Sequence, residues 1–578
     1  MKRILLESNE QKWKEISENA FYRSYIDEMK EAADRLLFLP VEPFRYSEYH
    51  MYQVDGNRLI YENNYFARRR RLCVFSIIYK ITGEKKYLEA LEDAVWAVCD
   101  EFTWSLPAHV PSELPVQRQE VFLDLFSCET GAALAEIDYL LHEELSAPVQ
   151  ERLRYEVRRR IVDAFLFQNL DNRWEHMDNN WAAVCAGAVG MAFLYQGSEQ
   201  EVDAAMPRLM ECLKNFLSGF TEDGACLEGY TYWWYGFVFY TMFASLYQQY
   251  TDGKVNLLKG EKVHKIAQFQ QKVLIGRNLS LTFSDNNILK FSHDRALSHF
   301  LYHHFDDIQV PPDEFHNHFG QDHCFRYGPC LRNFLWTDPE LSKAEWKKRS
   351  FYFPDAQWYI KNTCCYSVTA KGGDNGEPHN HNDLGSFCIS TPSEYLLCDL
   401  GAGEYVADYF KDETRYSFLV NSSRGHSVPL IGSHEQAAGK NARAKVLNAS
   451  EDCFELELAG AYGLPELKSF VRKLECASSR SIVLEDRFWF PDASLPVTER
   501  FITTLKPVVT AEGVKIAAKG LENNGEELLI VCENEEMYPV ITEEVYTGHH
   551  GEPLKAYKID YVAAASGELS CRFCFVLS

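Results

Sequence analysis

The segment Glu377-Pro378-His379-Asn380-His381-Asn382-Asp383-Leu384-Gly385-Ser386-Phe387 sets two imidazoles, two amides and a carboxylate just before an apolar run. In extended backbone residues i and i+2 share a face, so His379 and His381 can point the same way. Two imidazoles held together make a metal ligand, a proton-transfer group, or one of each. A polar turn that happens to be rich in histidine is the plain alternative. Further polar groups punctuate the chain. Asp399 closes the run Tyr395-Leu396-Leu397-Cys398 and precedes Leu400-Gly401-Ala402-Gly403. His426 stands in Asn421-Ser422-Ser423-Arg424-Gly425-His426-Ser427-Val428, at the entrance to another apolar run. Asp178-Asn179-Asn180-Trp181 precedes a stretch of small residues. Asp223-Gly224-Ala225-Cys226-Leu227-Glu228-Gly229-Tyr230-Thr231-Tyr232-Trp233-Trp234-Tyr235-Gly236 reads as a glycine-punctuated, tyrosine-rich loop.

Two kinds of element must position these groups. To about residue 345 the apolar spacing is helical: Leu88, Leu91, Val95 and Val98 share one face. Further helices are expected over 120–142, over 180–195, and from about Tyr235 past Tyr247. There is no strand–helix alternation, so an array of antiparallel helical hairpins is expected, of which an α/α toroid is the common large form. From about Phe351 short apolar runs recur between turn-formers, as in Cys365-Tyr366-Ser367-Val368 and Ser481-Ile482-Val483-Leu484, which indicates a β-sandwich. The expected domains are 1–345 and 346–578, in a multidomain α+β chain.

The 578 residues exceed one ordinary core. A formal net charge of −25 argues against nucleic-acid or anionic-membrane partners, which favour basic surfaces. No apolar run is long enough to span a bilayer, and Met1-Lys2-Arg3-Ile4-Leu5-Leu6-Glu7 meets acid before a signal-like stretch forms. The 17 cysteines are odd in number and scattered, as expected of a reducing cytoplasm. The oligomeric state is left open.

Taken in order, these motifs resemble the heparinase II/III-like polysaccharide lyase family: NNW before a small-residue helix, a DG…EG…YW.YG loop, HNHND-L-x-SF, a D-x-G strand end, and the segment S-S-R-G-H-S-V at 422–428. The resemblance runs from about Trp104-Ser105-Leu106-Pro107-Ala108-His109 to Glu485-Asp486-Arg487-Phe488. It implies an incomplete α/α toroid followed by an antiparallel β-sandwich. It also implies cleavage of a uronic-acid glycan by β-elimination, in which the C5 proton, α to a carboxylate, is removed. Such a site neutralises the carboxylate and supplies an acid and a base. The resemblance assigns Asn179 and Asn180 to the carboxylate, Tyr232 to proton transfer, and His379 as base or carboxylate neutraliser. Tyr230 and Tyr235 compete with Tyr232 for its role. The resemblance also implies that His381, Asp399 and His426 bind zinc as a support for the site, with a metal-free hydrogen-bonded network as the alternative.

Substrate contacts are expected from Glu228, Trp181, Trp233, Arg415 and Arg424, although core packing is the ordinary fate of a tryptophan. Arg68-Arg69-Arg70-Arg71 fits a sugar contact or inter-helix ion pairs equally. The expected substrate is an imported, anionic uronic-acid oligosaccharide. Two rivals stand beside the lyase reading: an α/α-toroid glycoside hydrolase working through paired carboxylates, and a non-catalytic glycan-binding protein.

Overall fold

The computed structural model describes residues 3–168, 172–286, 292–343, 346–519 and 526–578. The chain forms two compact units. One comprises Met1–Gly219, Trp233–His264 and Ser292–Glu345; the other comprises Phe220–Tyr232, Lys265–Phe291 and Trp346–Ser578. The expected boundary at 345/346 abuts residues 344–345, which lie outside the described residues.

The first unit is helical. Helix Leu59–Thr82 ends at Gly83, whose φ of 70° suits a residue without Cβ, and a short link leads into Lys85–Cys99 packed against it. Helix Leu125–Leu140 opens on a capping box, with the Asp124 carboxylate accepting from the Ser127 amide. It packs against Asn180–Gln196, which packs in turn against Glu199–Ser218. Small residues on Asn180–Gln196 permit close approach. A Cβ at Gly187 would lie 2.8 Å from the Phe239 carbonyl oxygen, so Gly187→Ala should cost about 1–3 kcal/mol by overpacking, read as a lower denaturant midpoint. The arginine run is consumed internally. Arg69 pairs with buried Glu101 at 2.6 and 2.8 Å, and Arg71 donates to the carbonyls of Leu36, Leu39 and Pro40.

Glu129, on helix Leu125–Leu140, accepts a hydrogen bond from Tyr235 and lies 3.5 Å from Arg326 Nε. Burial nonetheless pushes its carboxyl up to about 7. The folded state therefore holds this proton more tightly than the unfolded chain. The resulting stability is full below the ordinary glutamate value of 4.5 and is lost as pH rises through about 7. Glu129→Gln should remove about 3 kcal/mol of pH dependence across that window, measured by denaturant unfolding at a series of pH values.

The second unit carries the sheets. A five-stranded antiparallel sheet runs in the order Phe351–Phe353, Trp358–Asn362, Ser367–Lys371, Phe387–Ser390, Tyr395–Leu397. The larger sheet is built on the long ladder of Ser481–Thr503 with Pro553–Leu577, flanked by Ser469–Ser478 and Glu527–Cys532. Alternate residues Ile482, Leu484, Phe488 and Phe490 point inward. One core joins them to Val368, Phe387 and Leu396 of the smaller sheet, which makes the pair a sandwich. Cys571 is buried and Cys574 half-buried on one strand, as an i, i+3 pair on opposite faces must be.

Inside this sandwich Arg472 pairs with Asp486 and donates to the carbonyls of Gly385 (2.9 Å) and Ser427 (2.8 Å). A buried guanidinium thus ties the end of the HNHND segment to the residue after His426.

Candidate active site and metal centre

The HNHND segment is irregular and pinned from several sides. Lys371 Nζ lies 2.8 Å from Asp383, both fully buried. Gln436 bonds the Leu384 amide and carbonyl at 2.8 and 2.7 Å. The Asn382 amide donates to the Asn421 carbonyl, and Ser423 Oγ donates to the Asn382 carbonyl. His379 has φ +55°, a left-handed backbone uncommon outside glycine. Such strain persists where surrounding contacts over-determine the conformation, and these bonds do so here.

His379 and His381 meet on one carboxylate, Asp285. His379 Nδ1 lies 2.7 Å from Oδ2 and His381 Nε2 lies 2.9 Å from Oδ1. Arg415 Nη2 donates to Oδ2 at 3.2 Å, and Tyr409 donates to Oδ1. Burial opposes ionisation of Asp285, but the bonds from the two histidines hold its carboxyl well below the usual range. Burial likewise opposes the charged form of His379, yet the bond to Asp285 and its charge raise His379 above the ordinary imidazole value.

The ring of Tyr232 stacks on that of His379, with centroids 4.3 Å apart, and its hydroxyl lies 2.6 Å from that of Tyr405. The three candidate tyrosines therefore differ in surroundings. Tyr230 OH accepts from Gln270 at 2.9 Å, and Tyr235 is bonded to Glu129. The segment expected to be a loop as far as Gly236 becomes helix at Tyr230, after Gly229 (φ 96°) turns the chain. Burial, followed by the charge of Asp285, pushes the Tyr232 phenol well up, so it starts protonated. Glu228 Oε1 lies 3.6 Å from His379 Nε2.

His381, Asp399 and His426 converge behind this pair, with one ligand atom from each within 4.8 Å of the others. The atoms facing the common point are His381 Nδ1, Asp399 Oδ2 and His426 Nδ1, all buried; His426 Nδ1 lies 3.3 Å from Asp399 Oδ2, while His381 Nδ1 makes no hydrogen bond among the described residues. Their other donors and acceptors are engaged. His381 Nε2 faces Asp285, His426 Nε2 bonds the Val420 carbonyl at 2.8 Å, and Asp399 Oδ1 accepts from the Gly401 amide at 2.9 Å. Buried polar atoms are ordinarily satisfied. Two imidazole nitrogens and a carboxylate oxygen gathered at one buried point, each ring oriented through its far nitrogen and His381 Nδ1 left open, fit a metal ion, although the His426–Asp399 pair also satisfies part of the metal-free network. A second group, Asp322, His323 and Cys324, is less suited, because Asp322 is bonded to Arg326 at 2.6 Å.

Asn179 caps helix Asn180–Gln196, its side-chain oxygen accepting from the Trp181 amide at 3.1 Å, and Asn180 is buried. Half-buried Trp181 meets His109 edge-on with centroids 4.9 Å apart. These three belong to the helical unit. Trp233 is corrected: at 0% exposure it has no face free for a sugar and packs in the core. Arg415 lies in the Asp285 cluster. Arg424 points elsewhere, to Glu435 at 3.1 Å and the Ser417 carbonyl. The sequence reading missed Asp285, Tyr405 and Tyr409. For Asp285 a signal existed: Leu279, Leu281 and Phe283 alternate with polar residues just before it, a non-helical spacing inside a region read as helical, although Ser280, Thr282 and Ser284 are buried as well and the stretch forms no strand.

No family model matches the chain, and no curated protein matches it. Solved structures do. The chain covers 95% of itself and 84% of the heparinase III BT4657 gene product at a TM-score of 0.62 and 13% identity. For the heparan sulfate lyase HepC from Pedobacter heparinus the coverage is 100% and 86%, at a TM-score of 0.60 and 12% identity. Its fold is that of the heparinase III-like polysaccharide lyases. This architecture is an incomplete α/α toroid followed by an antiparallel β-sandwich, as the sequence led one to expect. The chondroitin AC lyase of Streptomyces coelicolor A3, solved with chondroitin sulphate, shares it at a TM-score of 0.56 and 10% identity, over 98% of this chain and 82% of that one. Among the described residues no helix is long and apolar enough to cross a membrane.

Proposed function

We propose that this chain is a polysaccharide or oligosaccharide lyase that cleaves a uronic-acid glycan by β-elimination. The observation that carries this reading is the stacked pair of Tyr232 and His379, the one held by Tyr405 and the other by Asp285. A binding protein has no need of an oriented imidazole beside a protonated phenol. Of the two carboxylates beside His379, Asp285 is engaged on both oxygens by His379, Arg415, His381 and Tyr409, which leaves it unsuited to the paired-carboxylate role of a glycosidase.

In this mechanism His379 Nε2 takes the C5 proton. The C5–H electron pair becomes the C4=C5 double bond, the C4–O bond breaks, and Tyr232 gives its proton to the departing oxygen. A phenol held protonated by burial suits the acid role better than the base role. Asn179 and Asn180 are assigned to the substrate carboxylate on the motif resemblance, since amides neutralise it without competing as bases. Glu228 and Arg415 border the pair and are assigned to substrate contact. His381, Asp399 and His426 would hold zinc, which when bound ties their three segments together as a structural support. The proposed substrate is an anionic oligosaccharide.

A panel of uronic-acid oligosaccharides, followed by near-ultraviolet absorbance and product mass, tests this reading. The expected result is an absorbing product pair whose summed mass equals that of the substrate. Products heavier by one water and without absorbance would make the protein a hydrolase. Binding without turnover across the panel would make it a binding protein.

A further inference from the structure

We propose that Asp285 is a positioning residue serving two histidines at once: it sets His381 for the metal and His379 for proton transfer, so that metal retention and turnover depend on a single carboxylate. The turnover half rests on the lyase reading; the metal half does not.

An ionised carboxylate offers about four lone-pair sites. Asp285, its side chain fully buried, meets His379 and Arg415 on one oxygen and His381 and Tyr409 on the other. Nothing is left for solvent. In the neutral form, the one in which His379 can take a proton, an imidazole has one N–H. Asp285 claims it at Nδ1 of His379 and at Nε2 of His381, so the free lone pairs are His379 Nε2 and His381 Nδ1. The former lies beside Glu228; the latter faces Asp399 and His426. Each ring thus presents the nitrogen its task requires, and one group enforces both choices.

The backbone around Asp285 is built to hold it there. Ser284 has φ +66°, and its hydroxyl donates to the Leu227 carbonyl, next to Glu228, at 2.8 Å. The Asn286 side chain accepts from Thr231, next to Tyr232, at 2.9 Å and donates to the Leu281 carbonyl at 2.7 Å. The Asn286 carbonyl accepts from the Ala402 amide, three residues after Asp399. Asp285 therefore sits at a junction of the tyrosine segment, the HNHND segment and the Asp399 segment.

The test is Asp285→Asn. An amide has one accepting oxygen and places an N–H donor where the other oxygen stood, so one histidine loses its acceptor and must turn or switch tautomer. Zinc affinity, read by competition with a chelator of known strength, should fall about 10–100-fold relative to wild type. On a substrate found by the panel, kcat should fall about 10–100-fold with a smaller change in KM. His379→Ala, which leaves His381 bonded, should keep the zinc and lose turnover. Wild-type zinc affinity in Asp285→Asn overturns the proposal, as does weakened zinc binding with kcat intact. Should no substrate be found, the lyase reading fails while the zinc measurement still decides the metal half. Should the variant not fold, wild-type protein labelled with 15N-histidine decides it. His379 should show the Nδ1–H tautomer, and its resonances should shift when chelator strips the zinc. Movement of His381 and His426 alone would overturn the coupling.

Discussion

Tyr232→Phe is expected to lower kcat by roughly 10²–10⁴-fold, the range for a lost general acid, while KM for the oligosaccharide changes little. The ring that stacks on His379 remains, and only the hydroxyl facing Tyr405 is removed. An interaction made only in the transition state shows in kcat and leaves substrate binding intact. Initial rates from ultraviolet absorbance, with binding measured separately by calorimetry, separate the two. Tyr230→Phe removes the acceptor of Gln270 and serves as the comparison. If Tyr230→Phe is the severe variant and Tyr232→Phe keeps most of its rate, the assignment of the acid is wrong.

Stripping the metal should be the largest perturbation of stability. His381, Asp399 and His426 come from three segments whose ligand atoms face one point, so a bound ion stabilises the folded unit by mass action. At free zinc about 1,000 times its Kd the gain is about 4 kcal/mol. For a unit of a few hundred residues, about 2–4 °C per kcal/mol makes this a Tm change on the order of 10 °C. Chelator should lower the Tm of wild-type protein by that amount and leave His426→Ala, already lowered, where it is. Elemental analysis showing no metal in freshly purified protein, with no effect of chelator, would sink the zinc assignment.

The fold was legible because its two halves use different periods. Leu91, Val95 and Val98 share the helical face expected of them, and Ile482, Leu484, Phe488 and Phe490 alternate as strand residues do. The His381, Asp399 and His426 set was legible through the motif resemblance, each residue standing beside an apolar run, and the three do meet as a buried group that could hold a metal ion. Asp285 was not. It lies about a hundred residues before its histidines; Ser284-Asp285-Asn286 reads as a turn, but nothing local marks which residues it will meet, and only tertiary packing brings it to them. Tyr405 and Tyr409 escaped for a different reason. Tyr405 sits in irregular backbone after Asp399 and Tyr409 in the short 3-10 turn Ala407–Phe410, where no periodicity marks which side chains turn inward. Trp233 shows the converse: its neighbours Tyr232 and Tyr235 are polar at the tip and find partners, while the indole is taken into the core.

The strand Pro553–Leu577 lies between Ser481–Thr503 and Glu527–Cys532 in the middle of its sheet, contributing Phe573 and Phe575 to the core. During synthesis the earlier strands therefore wait for it with their ladder edges open, a state exposed to wrong pairing. The same delay reaches the segments Phe220–Tyr232 and Lys265–Phe291, which belong to the sandwich unit although they are made long before most of it. On the ribosome, Tyr232 and Asp285 emerge before His379 and His381, against which they pack. The sandwich should thus fold as a late event, and a ribosome stalled before residue 553 should carry a helical region beside a protease-sensitive remainder.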